Sequence, residues 1–476
     1  MPVILTNQTD LTDVDLAYGN NILSLFQSVG NNRTVCRILN KENDELLADL
    51  RQLPNSVGYA HYDISRILQS QVAKGPTQGD TSISTVRLFT NPYECFSYYV
   101  EVGSQSTAGI VTIDGTYSGS VVDDYLSIPG RNVYANSNGV PNWADYTDYI
   151  PTVSTFAGDP VSTLVGDYQL ALTDRHYTTI NSNDITDGKP NTWPNPQDVY
   201  RISVGKDIQQ DTEGDDYSLQ FLNRWEGTAP DYYNGINYLR CVVYNGNTEL
   251  VNTTIQNTIS NGGGPNVNFD QEIVPLGQYS MIGAKTGYNN ADIAVADVTH
   301  YYIWVEAQAD EDMTINDGIR ISYVYRFDVD DSECNDYDVV QVRWLNSLGG
   351  TDYFSFRKKN TETTQITRNT YRQTNQTYGD QSWRSYPYDR GERVFNQEIT
   401  TNHTADTRWL TDDESTYLRN LYMSPSVEVK FGYDAANWTP VVLTSNTFTE
   451  KTYRKDKMFQ HSISFKDANN INAQGG

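Results

Sequence analysis

A chain of 476 residues exceeds what one hydrophobic core ordinarily supports, so two to four domains of roughly 100 to 200 residues each are expected. Only 38% of residues are hydrophobic, yet there are 35 Tyr and 8 Trp, a balance that fits β-rich domains with aromatic cross-strand pairs and argues against long helices. Sixty acidic residues against 34 basic ones give a net charge of -26, which repels phosphate backbones and anionic bilayers and so argues against nucleic acid and anionic membrane surfaces as partners.

The opening MPVILTNQTD has no basic region and only a short apolar stretch, so no signal peptide is expected and the chain is assigned to a cytoplasm, at least at first. No window approaches the ~18 apolar residues of a spanning helix. Across 1–105, the runs VILTN, NILSLFQS, TVCRILN, ELLADL, VRLF and CFSYYVEV alternate with turns, which predicts a small antiparallel sandwich. Within it GYAHYD reads as a strand entering a short helix, with Asp63 as N-cap and Ile64, Ile67 and Leu68 on one face. Residues 106–200 are rich in Pro, Gly, Asn, Asp and aromatics without periodicity, and predict a loop-rich insertion. Residues 201–330 carry the strand patterns YRISVG, YSLQFLNRW, NYLRCVVYNG, THYYIWVEAQ and IRISYVYRF, the last two joined as a hairpin.

The segment 331–476 opens with VVQVRWLNSLGGTDYFSF. Val340, Val342 and Trp344 share one face, Gly349 and Gly350 supply the turn, and Phe354 and Phe356 share a face of the return strand. A polar Thr/Asn/Arg/Tyr stretch, 361–392, reads as an extended arm or long loop. At 411–423 Thr411 and Glu414 form a capping box, Leu418, Leu421 and Tyr422 make an apolar face, and Pro425 ends the helix. VEVKFGY, TPVVLTS and HSISF complete a C-terminal β domain. The fold class is thus mainly β, with several antiparallel sandwich-like domains, long loops and one or two short helices.

Catalytic signatures are missing. The five histidines are dispersed without metal spacing, and no G-x-S-x-G elbow or G-x-G-x-x-G loop occurs. Among the many carboxylates, Asp174, Asp215, Asp216 and Glu226 have nothing to mark a glycosidase pair. The four cysteines form no C-x-x-C, and Cys36 and Cys95 read as small buried hydrophobes. FDVDDSECNDYD sets Asp328, Asp330 and Ser332 at alternating positions as in the first half of a calcium loop, but Glu333 and Val339 stand where that loop needs Gly and Glu. Calcium is therefore the one candidate cofactor, with an acidic surface loop as the alternative. No catalytic or other cofactor-binding residue is assigned.

The stretches LAYGNNILSLFQS and CRILNKENDELLADLRQLPNSVGYAHYDISRILQS, together with the closing hairpin, the capped helix WLTDDESTYLRNLYMSPSVEV and VVLTS, carry a likeness. The chain resembles structural virion proteins of tailed bacteriophages, in particular phages of Bacteroidetes including the crAss-like group, over about its first 100 and last 145 residues. The resemblance implies a non-enzymatic, ring-forming component of a tail, neck, head-tail connector or baseplate, assembled in the host cytoplasm and residing in the virion. Its partners would be copies of itself and other virion proteins, with no direct nucleic-acid contact and no membrane insertion. The arm would then supply interface residues, with Arg368, Arg372, Tyr378, Trp383, Arg384, Tyr386 and Arg390 as candidates, since Arg and Tyr are favoured at interfaces. A receptor- or glycan-binding tail-tip protein and a depolymerase are the alternatives.

Overall fold

A computed structural model shows a mainly β protein, built of antiparallel sheets with two short helices among the described residues. It describes residues 2–5, 14–27, 32–72, 88–90, 96–117, 125–130, 170–171, 199–205, 215–224, 238–256, 279–285, 297–307, 319–320, 324–330, 337–372, 377–384, 392–448 and 460–474, leaving aside 20, 42, 216, 347–348, 380–381, 433–437, 446 and 469–470 within those ranges. Among the described residues two strand pairs are parallel, Val14–Leu16 with Tyr125–Ile128 and Val199–Gly205 with Val324–Asp330.

The N-terminal unit is a two-sheet sandwich that draws in strands beyond residue 105 and leaves Leu88–Thr90 to another sheet. A three-stranded sheet (Ile4–Leu5, Ile22–Phe26, Tyr59–Asp63) packs on a six-stranded one ordered Val14–Leu16, Tyr125–Ile128, Phe96–Gln105, Arg33–Asn40, Leu46–Gln52, with Val111–Tyr117 also paired to Phe96–Gln105. Alternation puts Leu23, Leu25, Ala60 and Tyr62 of one sheet against Cys36, Ile38, Tyr98, Val100 and Val102 of the other. The helix Ser65–Gln71 closes the core with Ile64 and Leu68 fully buried and Ile67 half-buried. Its N-cap is Ile64, not Asp63. The Asp63 carboxylate accepts from the Ser65 N–H at 3.0 Å, so it satisfies one free helix donor from the preceding position. Part of the expected loop-rich segment is strand: Val111–Tyr117 and Tyr125–Ile128 complete this sheet, and Leu170–Ala171 joins another. Asp114 and Gly115 interrupt the period of Val111–Tyr117, and Tyr125–Ile128 and Leu170–Ala171 are too short, at four and two residues, to show one.

The middle region holds a four-stranded sheet ordered Leu170–Ala171, Ser218–Arg224, Tyr279–Lys285, Leu88–Thr90, so a strand from the first 105 residues pairs with one from 201–330. The second sheet runs Val199–Gly205, Val324–Asp330, His300–Ala307, Tyr238–Asn245, Thr248–Gln256. The expected hairpin is present, with His300 opposite Asp328 and Tyr301 opposite Phe327. Val14–Leu16, Thr248–Gln256, Tyr279–Lys285 and Ile471–Gln474 are strands the sequence reading did not assign.

The C-terminal sheet has eight strands, ordered Thr351–Phe356, Val340–Leu345, Val427–Phe431, Thr439–Leu443, Ser462–Asp467, Glu392–Asp406, Asn360–Arg372, with Ile471–Gln474 also paired to Glu392–Asp406. Its opening hairpin has Val340 opposite Phe356 and Val342 opposite Phe354, and Gly349 takes φ +96°, a left-handed conformation that glycine tolerates. The helix Asp412–Met423 lies on one face of this sheet. Its capping box is made as expected: the Glu414 N–H donates to Thr411 Oγ1, and the Thr411 N–H donates to the Glu414 carboxylate at 2.9 Å. Leu418 and Leu421 are buried, as is Tyr417, whose ring meets Trp344 at 5.2 Å. Trp344→Ala removes the largest ring under this helix and is expected to lower stability by about 3 to 5 kcal/mol, whereas Thr411→Ala, which removes only a cap, costs about 1 kcal/mol; urea unfolding followed by tryptophan fluorescence and circular dichroism measures both.

Candidate interaction surface

The strand Val340–Leu345 is buried at every position, which a one-sided sheet does not require. Its even-numbered residues face the helix, and Gln341 and Arg343 face the other way. On that second face the hairpin meets Asp215, Ser218 and Gln220. Asp215 accepts from Arg357 and from Ser355, both at 2.7 Å. The Ser218 and Tyr353 hydroxyls lie 2.6 Å apart, and the Thr351 N–H donates to the Gln220 side chain at 2.7 Å. Beside them Arg343 Nε donates to Glu428 at 2.7 Å, and the Arg343 guanidinium lies over the Trp438 ring at 4.6 Å. Asp215 and Arg357 have side chains only 8% and 9% exposed, so each charge depends on the other for its solvation. Asp215, one of the carboxylates weighed for glycoside cleavage, is thus tied into a structural ion pair.

This seam fixes the near edge of the sheet, and the far edge carries the candidate arm. Asn360–Arg372 and Glu392–Asp406 form an antiparallel ribbon of 13 and 15 residues. Residues 361–372 of the expected arm or loop are therefore strand, paired with the return strand that begins at Glu392. Ile471–Gln474 and Ser462–Asp467 support its inner part at 396–399 and 402–406. Beyond these supports the ribbon is two-stranded. Asn369 lies opposite Asn396 and Thr370 opposite Val394, so Phe395 is the extra residue of a β-bulge. The bulge turns Phe395 outward, 52% exposed, to meet the Tyr371 ring at 6.3 Å in edge-to-face geometry.

Every residue from 361 to 372 is exposed. Among the described residues Asn360–Arg372 pairs only with Glu392–Asp406, leaving its outer backbone edge open. Of the candidate interface residues, Arg368 and Arg372 stand on this edge strand. In the tip, Thr377–Gly379 pairs with Ser382–Arg384, which sets Tyr378 opposite Trp383 and Arg384 opposite Thr377. Tyr386 and Arg390 lie outside the described residues. Along 366–397 five arginines (368, 372, 384, 390, 393) face three acids (Asp380, Asp389, Glu392), a local balance of 5 − 3 = +2 in a chain of net charge -26.

Asp328 and Asp330, two of the calcium candidates, belong to the strand Val324–Asp330 rather than to a loop, and Ser332 lies outside the described residues. The Asp328 carboxylate accepts from Arg326 Nε at 2.8 Å. Among the described residues no group of three or more His, Cys, Asp or Glu could hold a metal ion, and no helix is long and apolar enough to cross a membrane. Ser415 Oγ lies 2.7 Å from His461 Nε2, but the hydroxyl is on the buried side of its helix and the imidazole stacks on Phe448 at 4.8 Å. The contact joins a buried hydroxyl to a half-buried imidazole at the end of the helix-covered face. Cys36 and Cys241 are buried and form no disulfide, while Cys95 lies outside the described residues. Burial, reinforced by the Asp49 charge, pushes the Cys36 thiol up to about 12.

No family model matches the chain, and no curated protein matches it in sequence. Among solved structures it is similar to the tetra-tandem repeat in the extending region of a large adhesion protein, at 9% identity and a TM-score of 0.22, over 85% of this chain and 70% of that one. It is also similar to a mutant of Salmonella alpha-2-macroglobulin, at 8% identity and a TM-score of 0.12, over 100% of this chain and 34% of that one. The chain therefore spans about a third of the macroglobulin's length. Likenesses at these scores carry no functional argument.

Two outcomes follow from this geometry. Arg357→Met strands the buried Asp215 carboxylate and is expected to destabilise the protein by about 3 to 5 kcal/mol, with most of the loss recovered in Arg357→Met/Asp215→Leu; urea titration of both variants checks this. An unfolded thiol ionises near pH ~8.5, so the stability linked to the neutral Cys36 is complete below that pH and is lost as pH rises toward about 12. At pH 9 iodoacetamide is accordingly expected to label Cys36 only after denaturant is added, as read by peptide mass mapping.

Proposed function

We propose that this chain is a non-enzymatic structural component of a tailed-bacteriophage virion, acting in the tail, neck or baseplate by joining copies of itself and neighbouring proteins in a ring. The observation that carries this reading is the ribbon Asn360–Arg372/Glu392–Asp406: a regular, rigidly rooted strand pair that presents an open edge and exposed Ile366, Tyr371 and Phe395. A protein that acted only through a cleft would have no need to hold such an edge away from its body. The seam at the opposite edge suits the same role, because a part under mechanical stress must transmit contacts at its arm to the rest of the chain through interactions that do not slide. The resemblance of the opening and closing segments to virion proteins supports the same class of function. In that setting the chain needs no cofactor, and its partners recognise backbone edge, aromatic rings and arginines.

The tip, 373–391, holds Tyr378, Trp383, Arg384, Tyr386, Tyr388 and Arg390, and in this reading it reaches the acidic surface of a head-to-tail neighbour. Replacing 373–391 by a two-residue turn leaves the paired strands intact. The full chain is expected to form closed rotational assemblies, visible by electron microscopy and as a discrete mass in native mass spectrometry. The shortened chain is expected to keep its circular dichroism and thermal transition but to form no ring. A full chain that is monomeric under all conditions and cleaves a polysaccharide would overturn the reading.

A further inference from the structure

We propose that two copies of this protein join edge to edge, strand Asn360–Arg372 against its own counterpart, antiparallel about a two-fold axis at Gln365. The proposal deepens the reading of the ribbon as a contact between copies and rests on it. It names a second copy of the chain as the occupant of the open edge and fixes the register.

A long exposed edge strand is a template for further pairing, and proteins that must stay single blunt such edges with lysine, proline, bulges or covering segments. From 361 to 369 the sequence TETTQITRN has no lysine, proline or glycine, and its residues are exposed throughout. The bulge comes only at Asn369/Thr370, at the end of this run. The edge is regular where it is open.

An exact two-fold axis in an antiparallel pair places one residue opposite itself. With Gln365 on the axis, Thr361 faces Asn369, Glu362 faces Arg368, Thr363 faces Thr367 and Thr364 faces Ile366. The symmetric segment is then 361–369, which begins one residue into the strand and ends where the bulge starts. The only acid and the only base in the segment meet each other, twice per dimer. Within their own sheet they are not matched: Glu362 stands opposite His403 and Arg368 opposite Gln397, and among the described residues neither has an ion-pair partner. Shifting the axis to Thr364 or Ile366 sets both charges against uncharged residues. Centring it on Thr367 would pair Glu362 with Arg372, but would carry the bulge into the paired segment.

The same register extends an apolar row. Ile366 lies beside Ile399, whose backbone pairs in turn with that of Ile471. In the pair, Ile366 of each copy faces Thr364 of the other and is diagonal to the second Ile366, within reach of a β-branched side chain. The 41% exposed Ile366 is thereby covered. For a chain of net charge -26, a self-contact needs a site where like charges do not face each other, and this segment, with one acid and one base in complementary positions, provides it. The contact is isologous and stops at two copies, leaving the tip for other neighbours.

The test uses the full chain. Glu362→Arg and Arg368→Glu each place two like-charged pairs across the axis, and each is expected to weaken dimerisation about tenfold in sedimentation equilibrium, while Glu362→Arg/Arg368→Glu restores it. Both positions are exposed, so circular dichroism should not change. Register is read separately by cysteine crosslinking with a short bis-maleimide, using the unsubstituted chain as background. Gln365→Cys is expected to link copies. Thr361→Cys alone and Asn369→Cys alone are not, since each lies roughly 27 Å from its counterpart, but a mixture of those two variants is. A chain that loses all higher assembly with the tip removed yet still dimerises through this edge is the expected joint result. If the chain associates but ignores the charge reversals and shows no linkage in this pattern, the pairing is wrong and the broader reading stands. If the chain is monomeric at every concentration, both fall.

Discussion

The structure depends on the strand Val340–Leu345 being buried on both faces. One face is closed by Trp344 and its neighbours under the helix Asp412–Met423, a contact driven by apolar area. The other face is closed by polar groups that must be paired to be buried at all, namely Arg343 with Glu428 and Arg357 with Asp215. The apolar face has latitude, because hydrophobic contact is non-directional. The polar face does not, since a shift of the 215–220 segment by one residue would leave a carboxylate and a guanidinium unpaired in a dry environment. The apolar side therefore supplies stability, and the polar side selects one arrangement of segments that are more than a hundred residues apart in the chain.

That fixed edge gives the opposite edge its meaning. Strand order carries the sheet from the seam through Val427–Phe431, Thr439–Leu443 and Ser462–Asp467 to the ribbon, so the open strand Asn360–Arg372 is backed by a continuous hydrogen-bonded lattice. A tether of the same length with glycine and serine would lose its ordering entropy on each contact, whereas a strand already held in register has lost it during folding. The bulge at Phe395 marks the point where support ends and the two-stranded tip begins. In the proposed reading, residues 361–369 offer a backbone edge and the sequence beyond them offers arginines and aromatic residues.

Much of the local fold was legible in the sequence. Period-2 patterning located the closing hairpin and the strand pair His300–Ala307/Val324–Asp330, and the capping box located the second helix almost to the residue, because these signals lie in adjacent residues. What escaped is what depends on distant partners. Thr248–Gln256 and Val111–Tyr117 are polar strands stabilised by neighbours rather than by their own pattern, and Leu88–Thr90 pairs with Tyr279–Lys285 across almost two hundred residues. At the first helix the sequence marks Asp63 as the cap, whereas the chain caps one residue later and the Asp63 carboxylate still accepts from the Ser65 N–H. The arm was legible as an arm from its composition, but its regular strands, its bulge and its open edge were not, since Thr-rich text without apolar alternation does not announce a strand that is exposed on both faces. Asp215 had no mark in the sequence that separated it from 59 other acids, and only its placement beside Arg357 identifies its role.

The account stands on the claim that the open edge is a contact and not a solvent-facing border. Hydrogen–deuterium exchange of the full chain at rising protein concentration tests this most directly, because it reads the backbone N–H groups of 361–369 themselves. The account predicts that the outward-pointing amides of this segment gain protection as copies associate, while amides of the N-terminal sandwich are unaffected. Fast exchange along 361–369 at every concentration, including in assembled particles, would contradict it.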